Sequence, residues 1–153
     1  EDDFSAKVMD EVEKIEEIKC DGRKMYTGFS IDNKSTKAID DVISMEKAGY
    51  LGKISIHISD VSHYVKPDST LDIEAAKRVE SKYIGTFFKE MLPKKLYCDL
   101  CSLLENQKKL SISLHFFITE NGLVKYDNYE YELSIIKNVN KYSYEEVDKI
   151  IKN

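Results

Sequence analysis

The chain reads as an α+β domain, with a largely antiparallel or mixed sheet and helices packed on one side. Three observations predict this. Residues 53–59, Lys-Ile-Ser-Ile-His-Ile-Ser, alternate apolar and polar side chains, the period of a strand with one buried face. Asn121-Gly122 stands between two apolar-rich runs, 110–117 and 123–136, as a hairpin turn does. Two capping-box spacings, Ser69 with Asp72 and Ser143 with Glu146, each open a segment of helical period.

The elements follow in order. Phe4, Val8, Val12 and Ile15 recur at helical spacing and predict an amphipathic helix over residues 2–19. Cys20-Asp21-Gly22-Arg23 then reads as a turn, so residues 1–20 form a helix and linker ahead of a domain over 21–153. Short strands are expected at 29–31 and 42–46, the second joined to 53–59 through a hairpin at Ala48-Gly49-Tyr50. Pro67-Asp68-Ser69-Thr70 precedes a helix to about residue 81, and a short helix is expected over 96–104. The last segment is a helix with Val147, Ile150 and Ile151 on its apolar face.

Composition limits what this chain does. One domain accommodates 153 residues, and 42% hydrophobic with 33% charged residues is an ordinary globular balance. No apolar run approaches the roughly 20 residues of a membrane helix, so no membrane partner is expected. The acidic start, Glu1-Asp2-Asp3-Phe4, is unlike a secretory signal, and three cysteines make a poor disulfide scaffold. The expected compartment is reducing: intracellular, and cytoplasmic. With a net charge of −5, a polyanionic substrate must be drawn in by a local basic surface, by metal ions or by other domains.

The richest segment for chemistry is 30–41, which holds Asp32, Asp40 and Asp41 between two apolar runs. Clustered carboxylates repel one another, and a hard cation such as Mg²⁺ takes oxygen ligands. A solvated turn explains the same residues unless their surroundings favour a site. Cys98 and Cys101 have the C-x-x-C spacing but lack a second pair, so packing explains them better than zinc. His57 reads as a packed, hydrogen-bonded strand residue, and His115 as exposed on the polar side of its strand. The basic pairs Lys94-Lys95 and Lys108-Lys109 carry no clear signal.

Taken together, the ordered motifs resemble the catalytic (RNB) domain of the ribonuclease II and ribonuclease R family of 3′-to-5′ exoribonucleases. They are Phe29-Ser30-Ile31-Asp32 through Asp40-Asp41-Val42-Ile43, His57 to Val65, Leu71-Asp72 with Arg78, Met91-Leu92-Pro93, Leu100 to Leu103, and Tyr142 to Val147. The resemblance covers about residue 22 onward and implies the N-terminal portion of an RNB-type domain. It implies metal-dependent hydrolysis of single-stranded RNA to nucleoside 5′-monophosphates, with Mg²⁺ or Mn²⁺ as cofactor and a larger RNA-decay assembly as a partner. By resemblance Asp32 and Asp41 ligate metal, and Asp40, the most activity-critical carboxylate, completes the metal and water arrangement. Tyr83 matches an aromatic that stacks on a base, and Tyr144 a tyrosine that selects RNA over DNA.

Three departures matter. Ala38 stands where the family has a fourth aspartate, Val79-Glu80-Ser81 replaces small residues, and Lys109 stands where arginine is common. The family's catalytic domain is also far longer. This portion alone is therefore expected to be inactive, and the alternative is a pseudo-nuclease that binds RNA or a protein without cutting. A third reading is an interaction module contacting partners through its first helix. A portion of a larger domain should also leave one apolar sheet face uncovered.

Overall fold

The computed structural model describes residues 4–17, 22–48, 51–84 and 87–152. In order they form α1 (Ala6–Glu13), β1 (Lys24–Asp32), β2 (Asp41–Ala48), β3 (Leu51–Ser59), α2 (Val61–Tyr64) and α3 (Thr70–Arg78). There follow β4 (Lys82–Ile84), β5 (Phe87–Lys89), a π-helix (Lys95–Leu100), β6 (Lys108–Ile118), β7 (Val124–Ser143) and α4 (Tyr144–Lys152). The expected mixed sheet is present, and it closes on itself: β1, β2, β3, β6 and β7 form a barrel, while β4 and β5 pair separately. All barrel pairings are antiparallel except β1 with β7.

Closure depends on β7, which runs well beyond the expected end at 136. Its first part pairs with β6 and its last with β1 as far as Ser143 opposite Asp32. The polar run 137–143 gives no strand signal in sequence; backbone hydrogen bonds to β1 hold it. The register steps between Gly28 and Phe29, skipping Val139. Gly28 is needed where β1 crosses β2, because a Cβ there would lie 2.4 Å from the Ile43 carbonyl oxygen and 2.7 Å from Val42 Cγ1. The predicted hairpin at Asn121-Gly122 forms, with Gly122 alone of the pair at positive φ, 76°. Of the hairpin at Ala48-Gly49-Tyr50, Gly49 and Tyr50 lie outside the described residues, while Ala48 pairs with Leu51.

The alternation on β3 is real, but the polar side is the inside. Ser44, Ser55, His57, Ser113, His115 and Ser134 are all buried. His57 bonds Ser44 through Nε2 (2.8 Å) and Ser113 through Nδ1 (2.5 Å), and Ser113 meets Ser134 at 2.5 Å. His115 bonds Ser55 through Nδ1 (2.6 Å) and Glu132 through Nε2 (3.1 Å), and the Tyr26 hydroxyl donates to the same carboxylate. Buried polar atoms persist when they pair in this way. The expectation that His115 is exposed is thus corrected: it is 1% exposed, because the polar face of its strand lines the barrel.

The apolar residues between them face outward. Ile43, Ile56, Leu114 and Tyr131 stand side by side across four strands, and Ile58, Ile112 and Leu133 form the next row. Ile58, Leu133 and Tyr131 are exposed, as expected for an uncovered sheet face. Among the described residues, helices bury the outer face at one end. Val8 and Val12 of α1, Tyr64 of α2, Leu71 of α3, and Leu96 and Leu100 of the π-helix pack with Leu110 and Ile135.

Helix boundaries have local causes. Within the predicted span 2–19, α1 occupies only Ala6–Glu13; Ser5 caps it and Lys95 Nζ binds the Val12 and Glu13 carbonyls at its end, each at 3.0 Å. Residues 1–3 and 18–20 lie outside the described residues. The helix α3 stops at Arg78, short of 81, because Val79 adopts φ 70°. Ser69 caps α3 as expected, accepting from the Asp72 amide at 3.1 Å, while Asp72 itself accepts from the Asp68 amide. Among the described residues no helix is long and apolar enough to cross a membrane.

Candidate active site

The acidic segment 33–40 links β1 to β2 at one rim of the barrel, and its middle is anchored by backbone. Ile39 is 2% exposed and packs with Tyr26, Val42, Leu103 and Ile136. Its amide donates to Ser102 Oγ (3.0 Å), and its carbonyl accepts from the Leu103 amide (2.8 Å). The Ser59 amide donates to the Asp40 carbonyl (3.1 Å), and Lys141 Nζ donates to the Thr36 carbonyl (2.6 Å). These ties fix Asp40 and Asp41 at the start of β2, near Asp32 at the end of β1.

The three aspartates meet electrostatically. Burial raises the Asp32 carboxyl above its ordinary value and the Asp41 charge adds to this; Lys141 and a Ser30 hydrogen bond act against them. Desolvation by neighbouring protein atoms raises Asp40, although the residue as a whole is exposed, and the charges of Asp41 and Asp32 raise it further. Such mutual repulsion is what a bound cation relieves.

Among the described residues, no three His, Cys, Asp or Glu side chains already stand as a cation cage. Strand alternation gives the reason: Asp32 follows the inward series Tyr26, Gly28, Ser30, whereas Asp41 belongs to the outward row of Ile58 and Ile112. The donor set nevertheless suits Mg²⁺, which is held through one or two carboxylates, with water and substrate phosphates completing its shell. Ala38 contributes only a methyl group. It lines a cleft of about 490 Å³, together with Lys37, Phe88, Glu90, Lys94 and Tyr97.

The other expected residues are placed as follows. Tyr83 lies in β4 opposite Phe88, and its side chain is outside the described part of the structure. Tyr144 begins α4, is 54% exposed, and directly follows Ser143, the partner of Asp32. The capping box beneath it is complete: Glu146 Oε2 accepts from the Ser143 amide (2.7 Å) and hydroxyl (2.8 Å), and Ser143 Oγ accepts from the Glu146 amide (3.3 Å). The backbone amide of Ser143 leads the interactions that hold Glu146 below its ordinary pKa. Sequence reasoning missed Lys141 and Ser102 as organisers of the acidic loop; only their contacts reveal them. Cys98 and Cys101 are free thiols, and burial pushes Cys101 up to about 11, consistent with packing. Lys109 is 3% exposed and bonds Glu17 at 2.8 Å, a structural use of one basic pair.

A mixed barrel with an acidic rim at the junction of β1, β2 and β7 defines the class of this domain. The RNB domain model matches residues 23–153, and the chain belongs to that family. It is similar to Ribonuclease R of Chlamydia trachomatis, 39% identical over 126 residues, covering 80% of this chain and 18% of that protein. Ribonuclease R 2 of Lactococcus lactis is 35% identical over 157 residues, covering 97% of this chain and 23% of the relative. Among solved structures, Mycoplasma genitalium RNase R in complex with double-stranded RNA superposes with a TM-score of 0.86 at 26% identity, over 98% of this chain and 28% of that one. The same protein bound to ribose-methylated single-stranded RNA matches with a TM-score of 0.86. This chain thus spans about a fifth of the length of these curated relatives.

Proposed function

We propose that this chain is part of the catalytic domain of a 3′-to-5′ exoribonuclease that hydrolyses single-stranded RNA to nucleoside 5′-monophosphates inside the cell, in the cytoplasm. The observation that carries this reading is the gathering of Asp32, Asp40 and Asp41 at one rim of an RNB-family barrel, where the Asp41 charge helps raise both Asp32 and Asp40. RNA in the solved Mycoplasma relatives supports the substrate class.

Asp32 and Asp41 are the residues to hold Mg²⁺ or Mn²⁺, with Asp40 beside them. A divalent ion there supplies charge neutralisation at the phosphodiester and an activated water. The chain's own residues do the rest. Lys141 and Ser102 hold the backbone of the loop that joins Asp32 to Asp40 and Asp41. Lys37 and Lys94, on the cleft beside Ala38, offset phosphate charge in a chain that is acidic overall. Tyr83 offers a stacking platform, worth about 1–3 kcal/mol per base and indifferent to sequence. Tyr144, exposed next to the rim, reads the 2′-hydroxyl, the group that distinguishes RNA from DNA.

Ala38 favours a second reading, a pseudo-nuclease of the same fold that retains RNA or a protein partner. One experiment separates the two. The longest natural form is incubated with Mg²⁺ and 5′-labelled single-stranded RNA. Stepwise shortening supports the exonuclease; retention without shortening supports the pseudo-nuclease, and no retention at low salt refutes both RNA readings. The 153-residue portion alone is expected to leave the RNA intact.

A further inference from the structure

The carboxylates of the rim stand on two separate supports. Asp32 ends β1, whereas Asp40 and Asp41 follow Ile39, whose amide and carbonyl are held by Ser102 Oγ (3.0 Å) and the Leu103 amide (2.8 Å). One buried side chain touches both supports. Asn138, 1% exposed, donates through Nδ2 to Ser30 Oγ at 3.1 Å and to the Leu103 carbonyl at 2.9 Å. Ser30 is equally buried and lies two residues before Asp32 on the inward series of β1, where its hydroxyl hydrogen-bonds the Asp32 carboxyl.

Local backbone aims this amide. Asn138 pairs with Gly28, which presents no side chain, and the next pairing, Phe29 with Asn140, skips Val139. A bulge of this kind turns a side chain away from the regular ladder. The orientation of the amide follows from chemistry: the Leu103 carbonyl accepts only, so the Asn138 nitrogen must face it. Because Ser30 Oγ accepts from the same nitrogen, its own proton is left to be donated, and the Asp32 carboxylate is the acceptor beside it. Asn138 Oδ1 is buried without a partner among the described residues. A buried acceptor left in this state costs stability, so stability alone does not explain the residue.

We propose that Asn138 is a positioning residue for the acidic rim: through Ser30 it orients the Asp32 carboxylate, and through Leu103 it sets the distance from Asp32 to the Asp40–Asp41 pair. This rests on Asp32 holding a divalent cation, as proposed above. Ser30 and Asn138 do not touch the ion; they fix a carboxylate that does. The path is continuous in both directions. From Asn138 it runs through Ser30 to Asp32, and through Leu103 and Ile39 to Asp40. Groups that hydrogen-bond a ligating carboxylate typically contribute about 10–100-fold to metal affinity.

Calorimetric titration of Mn²⁺ into the longest natural polypeptide containing these residues tests it, beside Ser30→Ala, Asn138→Ala and the double variant. Circular dichroism and the metal-free thermal midpoint check that each is folded at the titration temperature. Each single variant should raise the Kd for Mn²⁺ about tenfold or more. The double variant should bind no more weakly than the weaker single one, because the two side chains act in series. Ser30→Thr keeps the hydroxyl and should bind Mn²⁺ as wild type does. If Ser30→Ala does not fold, Ser30→Cys replaces it with the same expected loss, since a thiol is close in size but a weak donor. A purely structural role predicts lower midpoints with an unchanged Kd. That result, additive losses in the double variant, or a Ser30→Thr Kd as high as that of Ser30→Ala overturns the proposal and leaves the metal site standing. Absence of Mn²⁺ binding by wild type refutes the metal reading itself, and this inference with it.

Discussion

Lowering the pH from 7 to 4 should destabilise this domain through one buried side chain, His57. The residue is 0% exposed, and both ring nitrogens face hydroxyls, those of Ser44 and Ser113. Burial, assisted by the nearby charges of His115 and Lys53, lowers its pKa from 6.5 to about 4. The folded state thus refuses a proton that the unfolded chain accepts. Above pH 6.5 both states are neutral at this residue and it contributes no pH dependence. Between about 6.5 and 4 only the unfolded state protonates, so stability falls as pH falls, and below the folded pKa the loss is complete. At about 1.4 kcal/mol per pH unit the loss is about 3 kcal/mol, an order-of-magnitude figure. His57→Gln removes the titration while keeping a polar group in the barrel. Urea denaturation of both proteins from pH 7 to 4 isolates the effect, because the carboxylates titrate alike in each. The variant starts less stable, having lost one or two hydrogen bonds, but its stability curve should be flatter by about 3 kcal/mol. Parallel curves would refute the assignment of His57 as a buried neutral imidazole.

Four further outcomes follow from particular contacts. Gly28→Ala should cost about 1–3 kcal/mol by overpacking β1 against β2, read as a lower thermal midpoint; an unchanged midpoint would mean the strands are free to part. Arg23→Met strands the Asp60 carboxylate, whose partner lies 2.7 Å away and whose side chain is 2% exposed, and should cost about 3–5 kcal/mol in chemical denaturation. Ser143→Ala removes the hydroxyl from both directions of the α4 capping box and should lower stability by about 1 kcal/mol, with a matching loss of helical circular dichroism. Ala38→Asp should tighten Mg²⁺ or Mn²⁺ binding in calorimetry, and an unchanged affinity would count against a metal site in this loop.

The parts of the fold legible in sequence are those where local chemistry decides. The alternation of Ile54, Ser55, Ile56 and His57 places β3, and Asn121-Gly122 places the turn before β7. Which side of β3 is buried was not legible, since alternation fixes two faces without saying which one meets the core. The same ambiguity on β6 hides that His115 faces the barrel interior. Barrel closure was hidden too: it depends on Lys137 to Ser143, a largely polar run without a strand's alternation that pairs with β1 through backbone hydrogen bonds, helped by Asn138 on Ser30 and Tyr142 on Phe29. Of the candidate site, the aspartates stand out by composition and their roles came from resemblance. The loop's supports, Ser102 and Lys141, come from 60 or more residues away, and no spacing rule links them to the loop.

Those supports bear on what Ala38 means. The loop is held by groups that do not include its carboxylates: the buried Ile39 side chain, its amide and carbonyl, and the carbonyls of Thr36 and Asp40. Its shape therefore does not depend on a fourth acid, and placing alanine next to Ile39 changes the chemistry of the rim without releasing the backbone. The change also removes one negative charge from a cluster in which Asp40 and Asp32 already repel Asp41. In the absence of a cation, alanine at position 38 thus eases a strain that the native backbone would otherwise have to contain, and restoring the acid should destabilise the metal-free domain slightly. With Mg²⁺ present the sign reverses, because a ligand that binds only the folded state adds stability that grows with the logarithm of its affinity. Thermal midpoints of wild type and Ala38→Asp, each with and without Mg²⁺, should therefore cross. If the added carboxylate lowers the midpoint equally in both conditions, Asp32, Asp40 and Asp41 do not share an ion.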